Sequence, residues 1–168
     1  MFVSIDDDIF EPVNLEGLKQ YLSLRVDETE EDPYLNQLIT TARSRLEEGL
    51  ERVITLRSFE IEFDGGYWHQ LYTSLVEIES VTYEDADGVE HSITDYDLQK
   101  EASMIGFDIP KDVDGTVTVR FTSGYEQVPT SLVLAIKIMC KEMYSRSEND
   151  PMTDEVWKLV QSEVIYEL

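Results

Sequence analysis

Positive charge is what this chain has least of. Lys and Arg number 13 against 36 Asp and Glu, a formal net charge of −23 over 168 residues. Gripping nucleic acid through its phosphates takes clustered Lys and Arg, so the imbalance argues against that mode of binding. Cysteine occurs once, as Cys140, which excludes an internal disulfide and a cysteine-rich metal site. It lies among Ile138, Met139 and Met143 in a predicted helix and reads as a small buried hydrophobe. Histidine occurs twice. His69 and His91 each fall in a predicted strand or turn beside acids and read as surface residues, not metal ligands. No apolar run approaches the roughly 20 residues of a membrane span. The opening stretch MFVSIDDDIF has no basic region before an apolar one and does not read as a secretory signal. Glycine-rich phosphate loops, HExxH and G-x-S-x-G are all missing. Asp85, Asp87 and Gly88 look like part of a calcium loop, but the turn is short and its twelfth position is Tyr96, not glutamate. With 36 acids, any carboxylate pair could be nominated as acid and base, so a pair identifies nothing. These absences lead us to expect no enzyme, no cofactor and no metal.

What is present organises into blocks. A hydrophobic fraction of 42% supports a real core, and the length fits one domain or one with an inserted subdomain. Residues 1–33 carry 2 basic and 10 acidic groups, and 57–124 carry 4 and 15. Residues 34–56 are balanced at 3 and 3, and 125–168 carry 4 and 8. The N-terminal stretch is expected to be loosely ordered as far as Pro12. Asn14 caps a predicted short helix, Leu15 to Leu22. Val26 to Asp32 reads as a solvated connector. Asp32-Pro33 then predicts a helix start, with Asp32 as the cap. Apolar residues at Leu35, Leu38, Ile39, Ala42, Leu46, Leu50 and Val53 form one stripe, with Arg43–Glu47 and Glu48–Arg52 pairs expected on the outer face.

From Thr55 the period becomes two. Phe59, Ile61 and Phe63 alternate with Ser58, Glu60 and Glu62, followed by the turn Asp64-Gly65-Gly66. Further strands are predicted around Tyr67–Tyr72, Val76–Tyr83, Val89–Ile93, Tyr96–Gln99, Ile105–Ile109 and Thr116–Thr122, with a turn at Asp85-Ala86-Asp87-Gly88. Pro129 opens a long helix with two apolar stripes. One holds Leu132, Ala135, Ile136, Met139, Cys140 and Met143; the other holds Leu134 and Ile138. The surplus predicts a helix that packs its own core and a neighbouring subunit, with Leu134, Ile138 and Lys141 as the subunit contact. Asp150-Pro151 predicts another helix start, ahead of a stripe of Trp157, Val160, Val164 and Leu168. Strands grouped between helices define an α+β fold. The expected architecture is a single domain: a helical bundle, about 14–55 and 129–168, with an antiparallel β subdomain inserted at about 56–123.

Three segments in this order carry a resemblance. They are the helix pair NLEGLKQYLSL and DPYLNQLITTARSRLEEGLERVI, the strand and turn SVTYEDADGVE, and the stretch VTVRFTSGYEQVPTSLVLAIKIMCKEMYSR. Together, from Leu15 to Arg146, they resemble the head–tail connector proteins, also called head-completion or adaptor proteins, of tailed double-stranded DNA bacteriophages. The acidic start, residues 1–13, and the extension past Asp150 depart from that pattern. The resemblance implies a homo-oligomeric ring, usually of about twelve copies, beneath the portal protein. Such a ring extends the DNA channel and offers a platform to a stopper or tail-completion protein. DNA passes through without specific binding, and no membrane is involved. The location implied is the virion's head–tail interface, after assembly in the host cytoplasm. The resemblance also implies portal docking by the C-terminal segment, hence by Trp157, Val160, Val164 and Leu168. Acids lining the channel would repel the genome, with Asp85 and Asp87 at a hairpin tip as candidates. The competing expectation is an acidic DNA mimic or regulatory protein that binds a host nucleic-acid enzyme. A third is a hydrolase with an unrecognised carboxylate site.

Overall fold

The computed structural model describes residues 3–5, 9–64, 68–70, 75–85, 87–99, 104–107, 116–145 and 150–161. The chain divides into two compact units, Phe10–Thr55 with Tyr125–Leu168 and Met1–Ile9 with Leu56–Gly124. Helices fill the first and antiparallel strands the second, so the class is α+β.

The helical unit contains α1 (Leu15–Tyr21), α2 (Asp32–Leu50), α3 (Thr130–Tyr144) and α4 (Asp154–Val160). Asn14 caps α1 as expected, its side chain accepting from the Gly17 N–H at 2.7 Å. The predicted stripe of α2 is buried in full: Leu35, Ile39, Ala42 and Leu46 are 0–1% exposed. It meets Leu132, Ala135, Ile136, Met139 and Cys140 of α3, all fully buried. Glu51 ends α2 in the left-handed region at φ 51°, where its N–H reaches the last-turn carbonyls of Glu47 and Glu48.

Two helix starts differ from expectation. The N-cap position of α2 is Glu31, which makes no side-chain cap bond, and Asp32 lies one residue inside. The Asp32 carboxylate is held instead by the buried ammonium of Lys19, which also donates to the carbonyls of Val26 and Glu28. One lysine thus gathers the connector between α1 and α2. The start of α4 moves from Asp150-Pro151 to Thr153, whose hydroxyl accepts from the Val156 N–H. Asp150 instead closes a local turn onto the Met152 N–H at 2.9 Å, and Pro151 is buried.

The β unit holds a five-stranded sheet in the order β1-β2-β8-β4-β5 and a three-stranded sheet in the order β3-β7-β6. The strands are β1 (Val3–Ser4), β2 (Arg57–Asp64), β3 (Trp68–Gln70), β4 (Leu75–Glu84), β5 (Glu90–Ser92), β6 (Tyr96–Gln99), β7 (Met104–Phe107) and β8 (Thr116–Ser123). Every ladder is antiparallel. Register places Phe59 opposite Phe121 and Ile61 opposite Val119 on the buried face. The Phe59 and Phe121 rings lie 5.7 Å apart, stacked, and the Arg57 guanidinium covers Phe59. The alternate positions form a polar face, where Glu60 opposes Arg120 and Ser58 opposes Thr122.

Part of the N-terminal stretch expected to be loose is paired. Val3 and Ser4 pair with Glu60 and Phe59 at the sheet edge, and the Ile5 N–H donates to the Ser58 carbonyl. The expected turn residues Gly65, Gly66 and Ala86, together with Tyr67, Leu71, Tyr72 and Ile109, lie outside the described residues.

Candidate functional site

Three surfaces carry the chemistry read from the sequence. On α3, Leu134 is 38% exposed and Lys141 is exposed, one each side of a half-buried Ile138. Ile138 packs against the unit's own core, as do Val133, Met143 and Tyr144. Most of the apolar surplus of α3 is therefore absorbed within the chain. Leu134 is the one exposed apolar side chain of this helix. Burial pushes the Cys140 thiol up to about 12, so it stays protonated and inert.

On α4, Val156 and Val160 are fully buried and belong to the helical core. Val160 is thus already occupied. Trp157 is 39% exposed and lies against Gly49 of α2, where a Cβ would stand 3.5 Å from the indole and 3.1 Å from the Met152 methyl. Val164 and Leu168 lie outside the described residues.

At the hairpin tip of β4 and β5, the two nominated acids behave differently. Asp85 accepts from the N–H groups of Asp87 and Val89 at 2.9 and 3.0 Å, and from His91 Nε2 at 2.7 Å. The His91 bond and the backbone donors hold its carboxyl below the usual carboxylate range. His91 in turn stacks on Tyr83 at 5.1 Å. Asp85 is therefore a turn-building residue with a half-buried side chain, whereas Asp87 is exposed. On the adjoining polar face, Glu79 accepts from Ser58 and Thr122 hydroxyls, each at 2.7 Å. Those bonds, Thr122 foremost, lower its carboxyl as well.

A fourth feature escaped the sequence. Arg43, expected on an outer face, is 4% exposed. Its Nε donates to Glu11 at 2.9 Å and its Nη1 to Glu47 at 2.6 Å. Glu11 also accepts from Thr40, and Glu47 accepts from the Ile54 N–H. Burial pulls the guanidinium's pKa down, but the Glu11 bond and the charge of Glu47 outweigh it and raise the value. The Arg43–Glu47 spacing was visible as a helical pair. The partner that turns it inward, Glu11, is 32 residues away and gives no local signal. Among the described residues, no group of three or more His, Cys, Asp or Glu could hold a metal ion.

No protein-family model matches this chain, and no curated protein matches its sequence. Solved structures do. A chain in the neck of an empty gene transfer agent particle, computed with C6 symmetry, superposes at a TM-score of 0.80 with 17% identity. A chain in the virion of the native particle gives the same values, and both matches cover 100% of this chain and 97% of the other. A chain in the native particle's neck, computed with C12 symmetry, gives 0.72 at 16% identity over the same shares. The class this defines is a fold: the α+β fold of chains found in the necks of gene transfer agent particles. The resemblance of the sequence to connector proteins and the likeness of its fold to neck chains therefore point the same way.

Proposed function

We propose that this chain is a structural head–tail connector of a phage-like particle. It assembles as a ring that continues the DNA channel and carries the next protein of the tail. The carrying observation is the whole-chain match of fold to neck chains, in particles whose necks were computed with C6 and C12 symmetry. The role needs no active site, in keeping with a chain read as non-enzymatic. A net charge of −23 suits a conduit through which DNA slides, since like charges prevent phosphate contacts from trapping it. Asp87 is the better lumen candidate of the hairpin tip, because Asp85 spends its lone pairs on the turn. Portal docking falls to the chain's C-terminal end beyond Gln161, since Val160 is committed to the core. Leu134 and Lys141 remain an outward pair on α3 available to another protein of the particle.

Native mass spectrometry and negative-stain images of the chain, alone and with its portal protein, test this reading. Rings of about twelve copies are expected. A protein that stays monomeric in both conditions overturns it. A DNA mimic would instead bind a nucleic-acid enzyme as a monomer or dimer, in competition with DNA.

A further inference from the structure

Between Leu75 and Gln99 the sequence has eight Asp and Glu residues and no Lys or Arg. His91 is the one side chain of that span that can turn positive near neutral pH. The fold fixes its place. Register puts His91 of β5 opposite Tyr83 of β4, and the two rings stack at 5.1 Å. From there its Nε2 meets Asp85 Oδ2 at 2.7 Å.

Asp85 uses its two carboxylate oxygens for two tasks. Oδ1 accepts from the N–H groups of Asp87 and Val89 and so shapes the turn, while Oδ2 is left to His91. The Gly88 N–H donates to the Asp85 carbonyl, and the Asp85 N–H to the Val89 carbonyl, at 3.0 Å each. One carboxylate thus joins an imidazole on β5 to the backbone of the turn. The His91 bond, ahead of the backbone donors, holds the Asp85 carboxyl below the usual range, so across pH 5–8 it is ionised and can only accept. Nε2 of His91 must therefore carry a proton, and Nδ1 is the nitrogen that takes up a second. The His91 side chain is 43% exposed, so water reaches it.

The charged groups around this pair, among the described residues, are acidic. Glu84 and Glu90 oppose each other one step along the ladder, and Asp87 is exposed in the turn. On β8, Val117 opposes Tyr83, and Arg120 is bonded to Glu60. A second proton on His91 gives the hairpin its only positive charge.

We propose that His91 and Asp85 form a proton-sensitive latch on the β4–β5 hairpin. When His91 takes up its second proton, the bond to Oδ2 becomes an ion pair, the carboxylate is pinned, and Oδ1 holds the turn backbone more firmly. When that proton leaves, the tip loosens without unfolding the sheet. Both side chains are partly exposed, so the effect is that of a surface ion pair, about two- to fivefold in the opening of the turn. The latch stands apart from the connector reading.

NMR on the whole chain tests it, following the His91 ring and the Asp87 and Val89 amides from pH 5 to 8. The two amide signals should titrate together with the ring. After correction for intrinsic rates, both amides should exchange with water about two- to fivefold more slowly at pH 5.5 than at pH 8. Asp85→Asn keeps an acceptor for the turn but removes the charge. In that variant the ring should still titrate while the amides stop following it. In His91→Gln the amides should not respond over this range. Amides that ignore the ring's titration in the parent overturn the latch. Amides that follow it equally in Asp85→Asn overturn the relay through the carboxylate.

Discussion

Replacing Arg43 with leucine would leave the carboxylates of Glu11 and Glu47 facing each other with little water between them. Breaking a buried ion pair from one side costs roughly 3–5 kcal/mol. Glu11 keeps a quarter of its side chain exposed, so the lower end, about 3 kcal/mol, is expected. Urea unfolding checks this. Adding Glu11→Gln and Glu47→Gln to Arg43→Leu should return part of the loss, because the stranded charges go. Cys140 makes a second prediction of the same kind. A thiol raised to about 12 by burial should not react with a thiol reagent at pH 8 until the chain unfolds. A native protein that reacts at the rate of a free thiol would contradict the burial. The inert cysteine was readable from its apolar neighbours. The Arg43 clamp was not, because a partner so distant in sequence leaves no mark on periodicity.

Single elements were readable wherever one face repeats. The α2 stripe and the alternation of β2 and β8 are buried as their periods require, since those patterns are the core faces themselves. Boundaries moved where proline suggested a start that a better cap supplies nearby, as Thr153 does for α4. The edge strand β1 was hidden because pairing is a backbone property and its side chains are unremarkable. On α3 the same logic separates two positions. Ile138→Asp puts a charge against the core and should cost about 2–4 kcal/mol. Leu134→Asp should change stability by less than about 1 kcal/mol. Equal losses in thermal melts would mean that Leu134 also belongs to the core.

The β unit has a pH signature of its own. Glu79 and Asp85 both ionise below their ordinary range when folded. A carboxyl with a depressed folded pKa adds stability that is complete above its unfolded value and is lost as pH falls through the folded one. The contribution should therefore fade on acidification below about pH 4.5. Protonation also relieves repulsion in a chain of net −23, which acts the other way. Comparison with Glu79→Gln isolates the carboxylate: the variant should melt lower than the parent at pH 7, and the two should converge towards pH 3. Parallel curves would show that the stabilisation does not depend on ionisation of Glu79, against its lowered carboxyl.

At the scale of the whole molecule, α4 decides how much of the C-terminal end the fold needs. Pro151, Val156 and Val160 are buried, so α4 is part of the helical unit's core. Burying a valine side chain contributes about 1.5–3 kcal/mol, against a total stability of about 5–15 kcal/mol for a domain. Deleting residues 151–168 therefore removes a large share of the stability and should abolish a cooperative melt of the helical unit. A chain ending at Gln161 keeps every one of those buried residues. It should melt within a few degrees of the parent and still self-associate. If residues 162–168 dock on the portal, this shorter chain should lose portal binding in a pull-down while its rings persist. Portal binding equal to the parent's would move the docking surface elsewhere, with Leu134 and Lys141 of α3 the next to test. Loss of the rings themselves would show that the C-terminal end contributes to the contact between copies and not only to the contact with the portal.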